Sequence, residues 1–254
     1  MNKKKIYEIL KNHFELLGLK KKDNIIIHSD IASFGIFHSE LPFAVFKILK
    51  KIIGAKGTLA VPLFNTSLNK KKIINLEKDF GKNENSYLSK YFFKNFKHTR
   101  TLSVFHSHLI HGYTEDVFMK NKNFNSFGKN SDFDLFKRLN FKLLLFGCDA
   151  AKGCTYLHHI EEKLNVKYRK KKTFTLKLQL KKKFFNKNLT YNVRKKNVKL
   201  DFNKIFFSKP IKKITKKDKL NFGTSYLVEL KKFDLIFNKI LKKNIKRNFK
   251  KWNY

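Results

Sequence analysis

The sequence predicts an α/β fold: one domain with a mixed central sheet sandwiched by helices and antiparallel strands added in the C-terminal third. Three observations carry this. Short apolar runs of strand length alternate with helically spaced segments through the first half of the chain. Of the 254 residues, 42% are hydrophobic and 15% aromatic, enough for a large core without disulfide staples. From Thr173 to about Tyr191, apolar residues alternate with lysine and polar residues at period two, as on a half-exposed strand.

The elements follow in chain order. Ile6, Ile9, Leu10, His13, Phe14 and Leu17 share one helical face, so residues 4–17 are expected as an amphipathic helix closed by Gly18. Asn24–His28 is a short apolar run after a polar turn and reads as a buried strand. Leu41–Ile53 is helical again, with Gly54 at its end, and Gly57–Pro62 is the next strand. Residues 65–89 are polar and lysine-rich and are expected as a long surface loop. Lys142–Phe146 is a third strand ended by Gly147, and 155–164 a helix with Thr155 as N-cap. In the half-exposed strand of the C-terminal third, Phe174, Leu176, Leu178 and Leu180 point one way. A basic amphipathic helix over about 229–252 ends the chain. No repeat or linker divides it, so residues 1–254 are read as a single domain.

Composition excludes several classes. With 58 Lys and Arg against 19 Asp and Glu, the net charge is +39. That surplus suits anionic partners, yet the crowding of Lys, Asn, Ile and Phe matches A- and T-rich codons, and drift explains much of it. Basic residues are spread along the chain, without an RNP-type or helix-turn-helix pattern, so no specific nucleic-acid partner is expected. Two cysteines, Cys148 and Cys154, are too few for a disulfide framework. No apolar run reaches about 18 residues, and Glu8, Lys11 and Glu15 interrupt the N-terminal segment, so a cytoplasmic location is expected. The C-terminal helix could still rest on an anionic membrane through Phe233, Ile236, Phe237 and Ile240, or dock that face on the core.

The stretch from Gly147 to Glu162 is the richest in chemistry. His158 and Glu161 are three apart on the expected helix and share a face just beyond a strand's carboxyl end. A carboxylate beside an imidazole fixes its tautomer and stabilises the imidazolium formed when it takes a proton. The same spacing also makes ordinary surface ion pairs. Asp149 follows a strand end and either orients His158, binds substrate or caps a turn. Cys154 precedes His158 by four, a pairing that would permit a thiol nucleophile. The gaps among Cys148, Cys154, His158 and His159 do not reproduce structural zinc spacing, so no metal is expected; His159 points away from His158 and is read as structural or exposed.

Several motifs in order resemble the aminoglycoside 3-N-acetyltransferase family. Thr155-x-Leu157-His158-x-x-Glu161, followed by Val166-Lys-Tyr168-Arg169, is similar to its signature. Upstream, His28-Ser29-Asp30 resembles the family's early His-Ser-Ser, and Gly57-Thr-Leu-Ala-Val-Pro62-Leu-Phe64 its Gly-Thr-Leu-x-x-Pro-x-Phe. Arg100-Thr101 with His106-Ser107 and Gly112, then Asn125-Ser-Phe-Gly128-x-x-Ser131-x-x-Asp134, resemble the two blocks between. The resemblance spans roughly residues 5–230. Asp30 and Thr101 stand where the family has serine, Val104 where proline is usual, and Cys154 in place of an asparagine, a variant associated with members acting on bacterial surface sugars.

The resemblance implies acetyl transfer from acetyl-CoA to an amine on a sugar, with no metal. A base must deprotonate the ammonium; His158, held by Glu161, fills that role. Thr155, one turn earlier, and the N–H groups of that helix's start would stabilise the oxyanion. His28, Ser29, Asp30, Arg100, His106 and Ser107 are implied contacts of the cofactor, and Asp149 and Phe64 of the substrate. Each residue type also has a plain structural use: Ser29 as a cap, Arg100 as a solvated charge, His106 as a core histidine. Aminoglycosides are polycations that such a basic chain repels, so a nucleotide- or lipid-linked amino sugar for a surface glycan is the expected acceptor. Antibiotic acetylation is the alternative, and a non-catalytic nucleic-acid or membrane binder a third reading.

Overall fold

A computed structural model describes residues 2–196, 198 and 201–246. In chain order its elements are α1 (Lys3–Leu16), β1 (Asn24–Ser29), α2 (Leu41–Ile53), β2 (Thr58–Phe64), β3 (Ile74–Asn75), α3 (Tyr87–Asn95), β4 (Thr99–Arg100), β5 (His106–Gly112), α4 (Glu115–Lys120) and α5 (Asp132–Arg138). They continue with β6 (Phe141–Phe146), α6 (Ala150–Gly153), α7 (Tyr156–Lys163), β7 (Arg169–Leu180), β8 (Lys183–Arg194), α8 (Phe202–Phe206), α9 (Lys209–Lys212), β9 (Thr215–Leu220), β10 (Gly223–Glu229) and α10 (Leu230–Lys246).

The main sheet has seven strands in the order β4-β5-β2-β1-β6-β10-β9. Its centre is parallel, β1 lying between β2 and β6, and both flanks are antiparallel. The pleat sends Ile25 and Ile27 of β1 into one core with α1, α2 and α3, and Ile26 into another with α5, α7 and α10. Burial on both faces explains why β1 reads as an unbroken apolar run. The mixed sheet between helical layers is the architecture the sequence predicts.

Local chemistry sets the boundaries. Asn2 accepts from the Lys5 N–H at 3.0 Å to open α1, and Gly18 (φ +85°) follows its end with its N–H on the Glu15 carbonyl. His13, buried, bonds Asp218 at 2.5 Å and Ser225 at 2.8 Å, tying α1 to the β9–β10 hairpin. Burial, opposed by Asp218, holds this imidazole below its usual range.

Two expectations are corrected. Residues 65–89 are not a structureless loop: they hold a 3-10 turn over Thr66–Lys70, strand β3 and the start of α3. Glu84 accepts from the Thr66 N–H and hydroxyl at 2.6 Å and from the Ser67 N–H, while Asn85 clamps both the N–H and the carbonyl of Phe64. Polar side chains, not apolar periodicity, shape much of the segment; Ile74 and Leu76, with Leu68, anchor it in a small core under β7, and Leu88 in the core beside α2.

The single strand expected over Thr173–Tyr191 is two, β7 and β8, reversing at Lys181 (φ +55°). Two lysines sit at the turn where Gly or Asn would have signalled it. Of the two uses the sequence left open for the apolar face of the last helix, α10 takes docking: it buries Phe233, Phe237 and Leu241 in the core. The stretch 247–252 of that expected helix lies outside the described residues. Among the described residues no helix is long and apolar enough to cross a membrane.

Candidate active site

The carboxyl ends of β1 and β6 lie side by side, with Ser29 registered on Phe146. Gly147 (φ +71°) follows β6 there; a Cβ on it would meet the Asp30 carbonyl oxygen at 2.5 Å and the Ser33 hydroxyl. The close approach brings the chain after β6 against the chain after β1. From this junction α6 and α7 carry His158 and Glu161 away from the sheet's edge.

His158 is half-buried, its side chain 23% exposed, whereas Glu161 is fully buried. The His158 Nδ1 lies 2.7 Å from Glu161 Oε2, so the i,i+3 pair expected from the sequence is formed. Two further groups converge on the carboxylate. The Tyr168 hydroxyl donates to Oε1 at 2.7 Å, and the Arg169 Nη2 lies 2.6 Å from Oε2. Arg169 also reaches back to the Asn192 carbonyl at 2.8 Å, joining β7 to β8 behind the dyad.

The electrostatics suit a neutral base beside an ionised acid. Burial pulls His158 below its usual range, and the Glu161 hydrogen bond and charge oppose it only in part. Burial pushes Glu161 up, but His158, Arg169 and Tyr168 together hold it below the ordinary carboxylate range. An imidazole free of its proton at neutral pH, with Nδ1 directed at a carboxylate, presents Nε2 as an acceptor.

A line of rings connects His158 to the sheet. Phe127 and Phe202 stand edge-on to it at 6.0 and 5.5 Å between centroids. Phe127 touches His106 at 5.0 Å, His106 touches Phe64 at 4.8 Å, and Phe64 touches His28 at 6.1 Å. His28 and Phe64, with Ser29 and Asp30, wall a cleft of about 730 Å³ at the β1 end, which also takes in Ser86, Lys152 and Gly153. Ser29, Ser86 and Ser89 form a chain of hydroxyls at 3.0 and 3.1 Å. The His28 Nε2 is buried without a hydrogen-bond partner, and burial together with His108 takes this ring down to about 3. A neutral ring with an unused nitrogen beside aligned hydroxyls fits an amide-bearing ligand.

Other expected site residues sit elsewhere. Arg100 does not line this cleft: it bonds Ser107 Oγ at 3.1 Å, Asn65 Oδ1 at 3.1 Å and the Asp79 carbonyl at 2.6 Å, and burial lowers it to about 10. Ser107 in turn donates to the Leu63 carbonyl at 2.6 Å, so both residues stitch β2, β4 and β5 together. His106 is a core histidine bonded to Ser126 at 2.9 Å, although it adjoins Phe64 and Phe127. Asp149 caps α6 through the Lys152 N–H at 2.9 Å, and Glu161 rather than Asp149 orients His158. Thr155 occupies the N-cap position of α7 without the expected side-chain cap; its backbone is already helical (φ −59°, ψ −22°), and the residue is half-buried one turn before His158. His159 is buried and accepts weakly from the Gly128 N–H at 3.4 Å.

Cys154 is buried, and burial pushes its thiol well above the usual range; Cys148 is pushed up to about 12. Both stay protonated, the wrong state for a nucleophile. The residues that sequence reasoning passed over are Tyr168, Arg169 and Phe127. The first two stood in the motif directly after the dyad, so their position in sequence was the available signal.

Comparison with known proteins identifies the family and the fold. The family model described as aminoglycoside 3-N-acetyltransferase matches residues 26–241. The fold is similar to the crystal structure of aminoglycoside acetyltransferase AAC(3)-Xa, with a TM-score of 0.82 at 14% identity, covering 95% of this chain and 94% of that one. The YokD protein from Bacillus subtilis is similar with a TM-score of 0.79 at 15% identity, covering 94% and 99%. A binary complex of AAC-IIIb with CoASH gives 0.80 at 14% identity, covering 94% and 96%. No curated protein matches the sequence. The matched span, most of the chain, places this protein in the aminoglycoside 3-N-acetyltransferase family, as an N-acetyltransferase.

Proposed function

We propose that the protein acetylates an amino group of a nucleotide- or lipid-linked amino sugar destined for a surface glycan, by direct transfer from acetyl-CoA. His158 Nε2 takes the proton from the sugar ammonium, making it a nucleophile, while Glu161 holds Nδ1 and balances the imidazolium that forms. The amine then attacks the thioester carbonyl, and the Thr155 hydroxyl stabilises the charge gathering on its oxygen; the Leu157 and His158 N–H groups, expected to share that role, are spent on the Cys154 and Thr155 carbonyls. The thioester's pantetheine arm lies along Ser29, Ser86 and His28, with Lys152 at the rim suited to phosphate. Asp30 lies 3.9 Å from that lysine.

One observation carries the substrate choice: the acids flanking the clefts already have partners. Glu84 is taken by Thr66 and Ser67, and Glu162, in a smaller cleft with Lys171, by Asn192, while Asp30 faces Lys152 across the exposed rim. A polycationic antibiotic needs free carboxylates, whereas a phosphate-bearing sugar is drawn by the +39 charge. The test is release of the CoA thiol from acetyl-CoA over a panel of amines. Faster turnover on a nucleotide-linked amino sugar is expected; faster turnover on a kanamycin-type amine overturns the choice.

The thiol route gives an opposite expectation for one variant. Cys154→Ala is expected to keep its turnover in the same assay, with no acetylated enzyme seen by intact-mass measurement before or after substitution. Lost turnover together with a vanished acetyl adduct would restore the cysteine as nucleophile.

A further inference from the structure

The closest approach in the site joins groups with opposing demands. His158 Nδ1, Glu161 Oε2 and Arg169 Nη2 form a triangle with sides of 2.7, 2.6 and 2.6 Å. A ring nitrogen has one in-plane position, filled by a hydrogen or by a lone pair. Glu161 asks for the hydrogen and the guanidinium, which only donates, asks for the lone pair. Both cannot be met by one tautomer: the carboxylate takes the hydrogen, and the guanidinium is left acting on the ring by its charge.

We infer that Arg169 is a positioning residue for the dyad: its guanidinium clamps Glu161 and, pressed against Nδ1, prevents His158 from resting with hydrogens on both nitrogens. The inference rests on His158 acting as the base in the reading above. Arg169 is held for this task, since its Nη1 is anchored on the Asn192 carbonyl and its side chain is 4% exposed. The consequence is directional. In the resting protein an imidazolium would add a second positive charge against the fixed guanidinium, so the ring waits neutral, its one hydrogen on Nδ1 toward Glu161 and Nε2 free to accept. When it takes the sugar's proton during transfer, the same cation favours that proton's departure and resets the base.

The other charges around the ring do not replace this. Glu161 on α7 attracts a proton to it, and Arg194 on β8 and His106 on β5 act on it through space. Tyr168 donates to Glu161. Phe127 and Phe202 complete the wall without charge. Arg169 is the cation in contact with Nδ1.

The experiment is ¹⁵N NMR of the histidine side chains across pH in the full chain, without acetyl-CoA or sugar, His158 being assigned by its loss in His158→Ala. Wild-type His158 is expected to titrate below 6.5, and in Arg169→Gln its midpoint is expected to rise by about one unit. Arg169→Lys keeps a charge but not the fork that touches Nδ1, so its midpoint is expected to rise less. The acid limb of kcat/KM shifts with each variant. A His158 midpoint unmoved in a folded variant overturns the inference, and the lysine variant decides it if the glutamine variant does not fold. Because no sugar is present, a wrong acceptor leaves this result untouched, and an unmoved midpoint leaves the acceptor question open.

Discussion

Replacing His158 with alanine is expected to lower kcat/KM for acetyl transfer by about 10²–10⁴, the usual worth of a positioned general base. Thiol release at saturating acetyl-CoA, with the preferred amine varied, measures it. The fold is expected to survive. The ring is half-exposed, and Glu161 keeps Arg169 and Tyr168 when the imidazole is gone. An unchanged melting temperature therefore separates lost chemistry from lost structure. The remaining rate should also lose its acid limb, because the group whose protonation switches off the wild type has been removed. A variant at full rate would show that some other group takes the ammonium's proton.

The dyad was legible because both partners lie on one helix, where spacing alone decides who meets whom. The doubly buried strands were legible for a similar reason: Asn24–His28 and Lys142–Phe146 are apolar runs that need no partner to be recognised. What spacing could not show is contact across the sheet. Arg169 meets Glu161 only because β7 starts beside α7, and Arg100 is drawn inward because Ser107 and Asn65 face it across neighbouring segments. On sequence alone a charge in so basic a chain looks like solvent exposure. The segment 65–89 was opaque for another reason. Its order comes from Glu84 and Asn85 satisfying backbone groups, and hydrogen bonding of that kind leaves no period in the sequence. Thr155 shows the reverse error: the residue type favoured a cap, but a short preceding helix had already set its backbone.

Removing Glu161 is expected to damage both chemistry and stability, which distinguishes it from His158. The carboxylate is fully buried and carries the partners of three residues, so Glu161→Ala strands the Arg169 guanidinium in the interior. Breaking one side of a buried pair costs about 3–5 kcal/mol. Activity falls as well, because nothing then fixes Nδ1 or balances the imidazolium. The pH dependence has a definite sign. Glu161 is held below its ordinary value of 4.5, so its contribution is complete above that pH and disappears as pH falls through the depressed value. Chemical denaturation of the wild type and of Glu161→Ala should therefore differ most near neutrality and converge in acid. Combining Glu161→Ala with Arg169→Met removes the stranded charge, and the double variant is expected to be more stable than Glu161→Ala alone, though still inactive. If the two losses simply add, the guanidinium is not relying on the carboxylate, and the electrostatic account of this site fails at its centre.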